Sequence, residues 1–228
     1  MKSLLPFPLL LLMPACMTLS NDTGFNSSDV PVAVELVSVN FTADKMNVFY
    51  IGVDNPVSVY VPGVRSDKVE LSIENGTFIK SRASHYVINV SNPGEVKVTV
   101  KASDENSDIK STFLFRAKRI PDPVPALDWH SQYSYTAGEF RQKQGLLMKL
   151  KDFDFEAKCL TVGYTLTRIS QNGERQTALN EGARYGEAAQ ALVDQAESGD
   201  AFIFSEIKTL CPGDTTVRQL NNVAYFIQ

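Results

Sequence analysis

Two apolar runs, Val48 to Val53 and Val57 to Val61, flank Asp54-Asn55-Pro56 in the stretch MNVFYIGVDNPVSVYVPG. Proline fixes φ there and removes a donor, while the aspartate and asparagine side chains cap the freed backbone, so two strands and a corner are expected. After the corner Val57, Val59 and Val61 alternate with Ser58 and Tyr60, which buries one face. Before it the run is nearly continuous, as in a strand covered on both sides. The same period of two recurs at Val32-Val34-Leu36, followed by Val39 and Phe41, and again at Val69-Leu71-Ile73, Tyr86-Ile88-Val90, Val96-Val98-Val100 and Phe113-Phe115-Ala117. Between these runs lie turn signals: Asp44-Lys45, Asn75-Gly76 as a two-residue hairpin, Asn92-Pro93-Gly94, and a polar loop from Asp104 to Asp108. About seven or eight short strands between Val30 and Lys118, with no helical period, predict an immunoglobulin-like β-sandwich over 30–118.

Prolines at alternate positions, Pro121, Pro123 and Pro125, forbid helix and predict a semi-rigid extended spacer. The spacer opens a segment over 119–145 that continues as an aromatic loop with Trp129, Tyr133, Tyr135 and Phe140 and shows no clear period. From residue 146 the pattern changes to that of a smaller α+β domain, 146–228, an antiparallel sheet with one helix. Its predicted parts begin with a strand at Leu146 to Leu150 and an edge strand at Lys151 to Glu156, where acidic and aromatic residues alternate. A long strand from Leu160 to Ile169 and an Asn172-Gly173 turn follow. Ala188, Ala189, Leu192, Val193 and Ala196 give the helix, ended by Ser198-Gly199. Strands from Ala201 to Leu210 and through Val223, Tyr225 and Ile227 close the sheet around a Pro212-Gly213 turn. The whole chain is mainly β.

Composition adds little to this fold but narrows function. Across 228 residues, 43% hydrophobic and 21% charged residues are ordinary globular values, and a net charge of −4 without a basic run gives no footprint for nucleic acid. At the N-terminus Lys2 and the apolar run Leu4 to Met13 suit a signal peptide over 1–15, too short to span a bilayer, with a polar, aperiodic tether over 16–29 behind it. Pro14-Ala15-Cys16 approximates a bacterial lipobox, in which Cys16 would be acylated, although Met13 and Pro14 stand where that motif has leucine and a small residue. Ordinary cleavage after Ala15 or Ser20 is the other reading. Either way the chain is expected outside the cytoplasm, with a lipid anchor as its sole membrane contact. Asn-x-Ser/Thr triplets at Asn21, Asn26, Asn40, Asn75 and Asn89 are chance in a bacterial setting.

Cys159 and Cys211 remain as an even pair in an oxidising compartment, so a disulfide is permitted without being demanded. Two unpaired cysteines are the preferred reading, because nothing in the sequence brings their Cα atoms within bridging distance. The isolated His85 reads as a surface residue. Asp152, Asp154 and Glu156 would share one strand face, which is what a solvated edge requires, more than a cation site or an acid/base pair. No catalytic, cofactor or metal residue is assigned, and an enzyme is not expected.

Taken together, NVFYIGVDNPVSVYVPG, FRAKRIPDPVP, LKDFDFEAK, VGYTLT, ARYG, SGDAFIFSEIK, and PGD followed by VRQLNNVAYFI resemble the last two periplasmic domains of the gliding-motility and type IX secretion GldM (PorM) family, in the family's order. The resemblance implies a non-enzymatic envelope module in the periplasm or at the outer membrane that docks on the secretion or motility ring, as a homodimer where the family's dimer persists. The chain departs from the family plan in having a signal peptide where a transmembrane helix, a helical domain and a further β-domain are expected, which leaves a docking half without coupling to a motor. A stand-alone glycan- or protein-binding adhesion-type sandwich lipoprotein is the alternative, drawn from the aromatic loop Trp129 to Phe140.

Overall fold

The computed structural model describes residues 39–43, 47–104, 107–130 and 132–228. The expected signal peptide, the tether, Cys16, the Val32–Leu36 strand and the Asp44-Lys45 turn lie outside them. Strands β1 (Asn40–Ala43), β3 (Asn55–Tyr60), β6 (His85–Asn89) and β5 (Thr77–Arg82) form one sheet in that order. Strands β2 (Val48–Tyr50), β8 (Ser107–Lys118), β7 (Gly94–Asp104) and β4 (Val69–Glu74) form the second. The alternating valines do what their period requires: Val57, Val59, Ile88, Val96, Val98 and Val100 point inward with Phe49, Tyr86 and Phe115 to make the sandwich core.

Two local expectations need correction. Asn75-Gly76 does not close a hairpin, because β4 and β5 belong to opposite sheets and the chain crosses between them at a left-handed Asn75, φ 65°. The corner lies earlier than Asp54-Asn55-Pro56: the turn occupies Ile51 to Asp54, and Asn55 and Pro56 already belong to β3. Pro56 is tolerated because β1 pairs only with Val57 to Tyr60, so the missing N–H breaks no β1 bond. Asn55 is buried; its amide donates to the carbonyls of Tyr50, Val53 and Ile88 and accepts from the Tyr50 N–H, which ties the turn to β6.

Downstream, β10 (Ser134–Tyr135), β16 (Val223–Ile227), β14 (Ala201–Leu210), β12 (Leu160–Ile169) and β13 (Arg175–Glu181) make the main sheet, and β15 (Arg218–Gln219) pairs with β14. Strands β9 (Val124–Ala126) and β11 (Leu147–Lys149) pair with each other. The sheet is antiparallel except where β10 joins β16 in parallel. Helix α2 (Glu187–Asp194) packs Ala189, Leu192 and Val193 into a second core with Tyr164, Leu166, Phe202, Phe204 and Tyr225.

A second helix, α1 (Ala137–Arg141), corrects the expectation of one. It is too short to show a period, yet Thr136 and Glu139 form a reciprocal capping box that starts it. The segment 119–145 is likewise more than linker and loop, since it supplies β9, β10 and α1, and Leu127, Tyr135 and Phe140 are buried in the second core. Tyr135 and Lys143 both donate to Asp128, whose carboxylate also accepts the His130 N–H. Burial and that partner push the Tyr135 hydroxyl up to about 12.

Candidate functional site: the junction between the two cores

A third, small core sits where the halves meet. Val53, Ile120 and Phe155 are buried there, with Tyr50, Leu150, Phe153 and Ala157 packed around them. The nearly continuous apolar run before the corner is thereby explained: Phe49 enters the sandwich core, while Tyr50 and Val53 serve the junction on the other side. Tyr50 meets Phe153 and Phe155 edge-on, with ring centroids 4.9 and 5.1 Å apart.

This overturns the edge strand predicted at Lys151 to Glu156. The segment is a loop entered through a left-handed Asp152, φ 53°. Its alternation is real but serves another purpose, turning Phe153 and Phe155 toward the sandwich and leaving Asp152, Asp154 and Glu156 at the surface. Among the described residues no group of three His, Cys, Asp or Glu side chains is placed to hold a metal ion. His85 and His130 are exposed and lie in different halves.

A second contact lies beside the aromatic one. The Cys211-Pro212-Gly213-Asp214 turn abuts Ile51-Gly52 so closely that a Cβ on Gly52 would lie 2.6 Å from the Pro212 oxygen. Both glycines have positive φ, +82° at Gly52 and +78° at Gly213, so each supplies a backbone shape and a close approach that other residues do not. Asp214 closes the turn by accepting the Cys211 N–H at 2.9 Å.

Arg218 then joins the turn to the proline segment. One guanidinium nitrogen donates to the Ile120 carbonyl at 2.8 Å and to Asp122 at 2.9 Å, and another donates to Asp214 at 2.6 Å. Burial pushes the Asp214 carboxyl up, but the bonds from Arg218 and the Cys211 N–H, with the charges of Arg218 and Arg119, outweigh it and hold the group below its ordinary value. Composition and period gave no signal for this hub. The Asp-x-x-x-Arg spacing of Asp214 and Arg218 is a local signal that could have found the pair.

The cysteines read as unpaired are bonded. Cys159 and Cys211 flank the Leu160–Leu210 pair of adjacent strands, which brings their Cα atoms to 4.1 Å and joins them in a disulfide. The sequence hid this because the register of β12 on β14, with its bulges, is set by tertiary pairing.

Two surface concavities flank the junction. One, of about 440 Å³, is lined by Asp122, Pro123, Pro125, Tyr133, Asn221 and Asn222. The other, of about 390 Å³, is mostly apolar and runs past Trp129, Leu147, Phe153, Cys159 and Leu160. Trp129 is 75% exposed at its rim.

The FYIGVDNP, IPDP, KDFDF and PGD elements, far apart in the chain, thus converge on one junction. The GldM third domain matches residues 38–118, and the GldM C-terminal domain matches residues 121–228. The chain belongs to the GldM family. The family is a non-enzymatic component of the gliding-motility and type IX secretion machinery, and its domains are periplasmic in that envelope machinery. No curated protein matches this GldM-family chain. Among solved structures, the D00-D0 domain of intimin is 11% identical, over 82% of this chain and 99% of its own, with a TM-score of 0.27. The structure of Yersinia pseudotuberculosis InvD is 12% identical, over 83% and 70%, with a TM-score of 0.25. An ICAM-5 D1-D4 ectodomain fragment is 10% identical, over 84% and 47%, with a TM-score of 0.27. Likeness at these TM-scores carries no argument about the GldM-family chain.

Proposed function

We propose that the chain is an exported docking or adaptor module that binds components of the gliding-motility or type IX secretion ring at the periplasmic face of the outer membrane. Acylation of Cys16 and a homodimer belong to the same reading. The observation that carries it is the junction itself: the family's motifs from both halves pack apolar side chains and turn backbone against one another, and Arg218, paired with Asp214, binds the proline segment between them. A rigid two-part surface binds a large partner without the entropy of ordering a hinge.

Pull-down with the tagged chain from envelope extracts is the test, with labelled palmitate incorporation compared between the natural chain and Cys16→Ser. Recovery of ring components supports docking, and loss of label in the variant supports the anchor. Failure to retain any ring component at low salt would sink the docking reading.

A second reading has an observation of its own. The exposed Tyr133 ring, beside Asn221, Asn222 and Asp122 in the 440 Å³ cleft, offers an aromatic face with amides and a carboxylate around it, chemistry suited to a glycan. Recovery of polysaccharide alone in the same experiment would favour it.

A further inference from the structure

Each cysteine of the Cys159–Cys211 pair adjoins one of the two segments through which the second half touches the sandwich. Immediately before Cys159 run Phe153, Phe155 and Ala157, which pack with Tyr50, Val53 and Ile120. Immediately after Cys211 comes Pro212-Gly213, seated on Ile51-Gly52. The bond therefore sits at the point where both contacts leave the main sheet. Cutting it leaves β12 and β14 paired through their ladder and through the Thr209 hydroxyl bond to the Leu160 carbonyl, 2.9 Å, so the loss falls on the two projecting segments.

We propose that Cys159–Cys211 is a thiol-exchange site for a dithiol reductant, and that its redox state sets how firmly the two halves hold one another. Access favours one sulfur. Cys211 is 3% exposed, whereas Cys159 is half-buried and lines the apolar groove beneath Trp129. A thiolate of the dithiol attacks Cys159 Sγ; the Cys159–Cys211 bond breaks, and Cys211 leaves as a thiolate that takes a proton. The second thiolate of the reductant then attacks its own sulfur in the mixed disulfide and releases Cys159, which also takes a proton. Two electrons pass to the protein, and the dithiol becomes a disulfide.

Hydrogen exchange on the full chain, before and after titration with dithiothreitol, reads the consequence directly. The amides of Ile51, bonded to the Lys118 carbonyl, and Asp214, bonded to the Cys211 carbonyl, report on the junction. Reduction is expected to speed their exchange by about tenfold or more while the centres of β7 and β14 stay protected. Cys159→Ser with Cys211→Ser should show the fast exchange without reductant and no response to it. In a separate arm with glutathione, the mixed disulfide is expected on Cys159. Unchanged exchange at Ile51 and Asp214 after complete reduction would overturn the proposal, as would loss of protection throughout the second core, since the bond would then staple the fold and not the junction. Glutathione found on Cys211 alone would overturn the assigned point of attack. None of these readouts depends on the ring partner.

Discussion

Gly52 and Gly213 face each other across the junction, each in the left-handed region and each without room for a side chain: a Cβ on Gly213 would lie 2.7 Å from Ile51 Cγ2. The nearest atoms around Gly52 are backbone, of Pro212 and Gly213, and cannot swing aside as a flexible side chain would. Gly52→Ala is therefore expected to force the halves apart, at about 1–3 kcal/mol for the overpacking, with the left-handed backbone adding to it. Denaturant unfolding should show the lower midpoint, and small-angle scattering should show a larger radius of gyration with both cores still folded. An unchanged profile would remove this contact from the account of the junction.

Arg218 holds three acceptors in two segments, and the Asp214 side chain is almost wholly buried beside it. Replacing Arg218 with methionine leaves that carboxylate with the Cys211 N–H but without its cationic partner, which costs up to about 3–5 kcal/mol for a buried charge. Arg218→Lys is expected to recover little, because one ammonium cannot reproduce a fork that reaches Asp214 through one nitrogen and Ile120 with Asp122 through the other. Adding Asp214→Asn to Arg218→Met should restore part of the loss. A double variant no more stable than Arg218→Met would contradict the buried-charge explanation.

Acid should open the junction. The Asp214 carboxyl titrates below its ordinary value in the folded chain, and so does Asp128 beside Lys143, Tyr135 and the His130 N–H. A depressed folded-state pKa means that the stabilisation is fully present above the unfolded value, about 3.9 for aspartate, and is lost as pH falls through the lower folded value. Stability is expected to be level with respect to these groups at neutral pH and to decline below about pH 4. Asp214→Asn should flatten part of that decline. A slope as steep in the variant as in the natural chain would show that other carboxylates carry it.

Much of the sandwich was legible because its core alternates with a strict period of two, as at Val96, Val98 and Val100 in β7. The junction was not. Phe153 and Phe155 read as an edge strand because an extended loop pressed on a neighbour buries every second residue just as a strand does. Asn75-Gly76 read as a hairpin because the same left-handed asparagine serves a crossover between sheets. In α1 the signal was present and local, since Thr136-Ala137-Gly138-Glu139 spells its capping box. What the sequence withheld depended on register between distant strands, which decides both the disulfide and the approach of Gly213 to Gly52.

The capping box invites a modest test. Glu139 is held below its ordinary value by the Thr136 N–H and then by the Thr136 side chain, and Phe140, on the same short helix, is fully buried against Phe202. Thr136→Ala should cost about 1 kcal/mol, and Thr136→Ser should cost less because the hydroxyl remains. Thermal melts of the two variants separate loss of the cap from loss of the threonine methyl; equal melts would rule out the cap as the cause.

The proline segment can be separated from what holds it. Pro121 and Pro123 restrict the backbone, but Ile120 is 2% exposed in the junction core and its carbonyl is bound by Arg218. If stiffness came from the prolines alone, Pro121→Gly with Pro123→Gly would loosen the halves most. The contacts point the other way. Ile120→Ala removes buried methylenes at about 2–5 kcal/mol, whereas two Pro→Gly changes act through unfolded-state entropy at about 0.4–1 kcal/mol each. Small-angle scattering is expected to show a broader range of orientations for Ile120→Ala than for the double glycine variant, with the sandwich and the second core each retaining their circular-dichroism signal. The reverse order would return the spacer to its prolines and reduce the junction core to a by-product of their geometry.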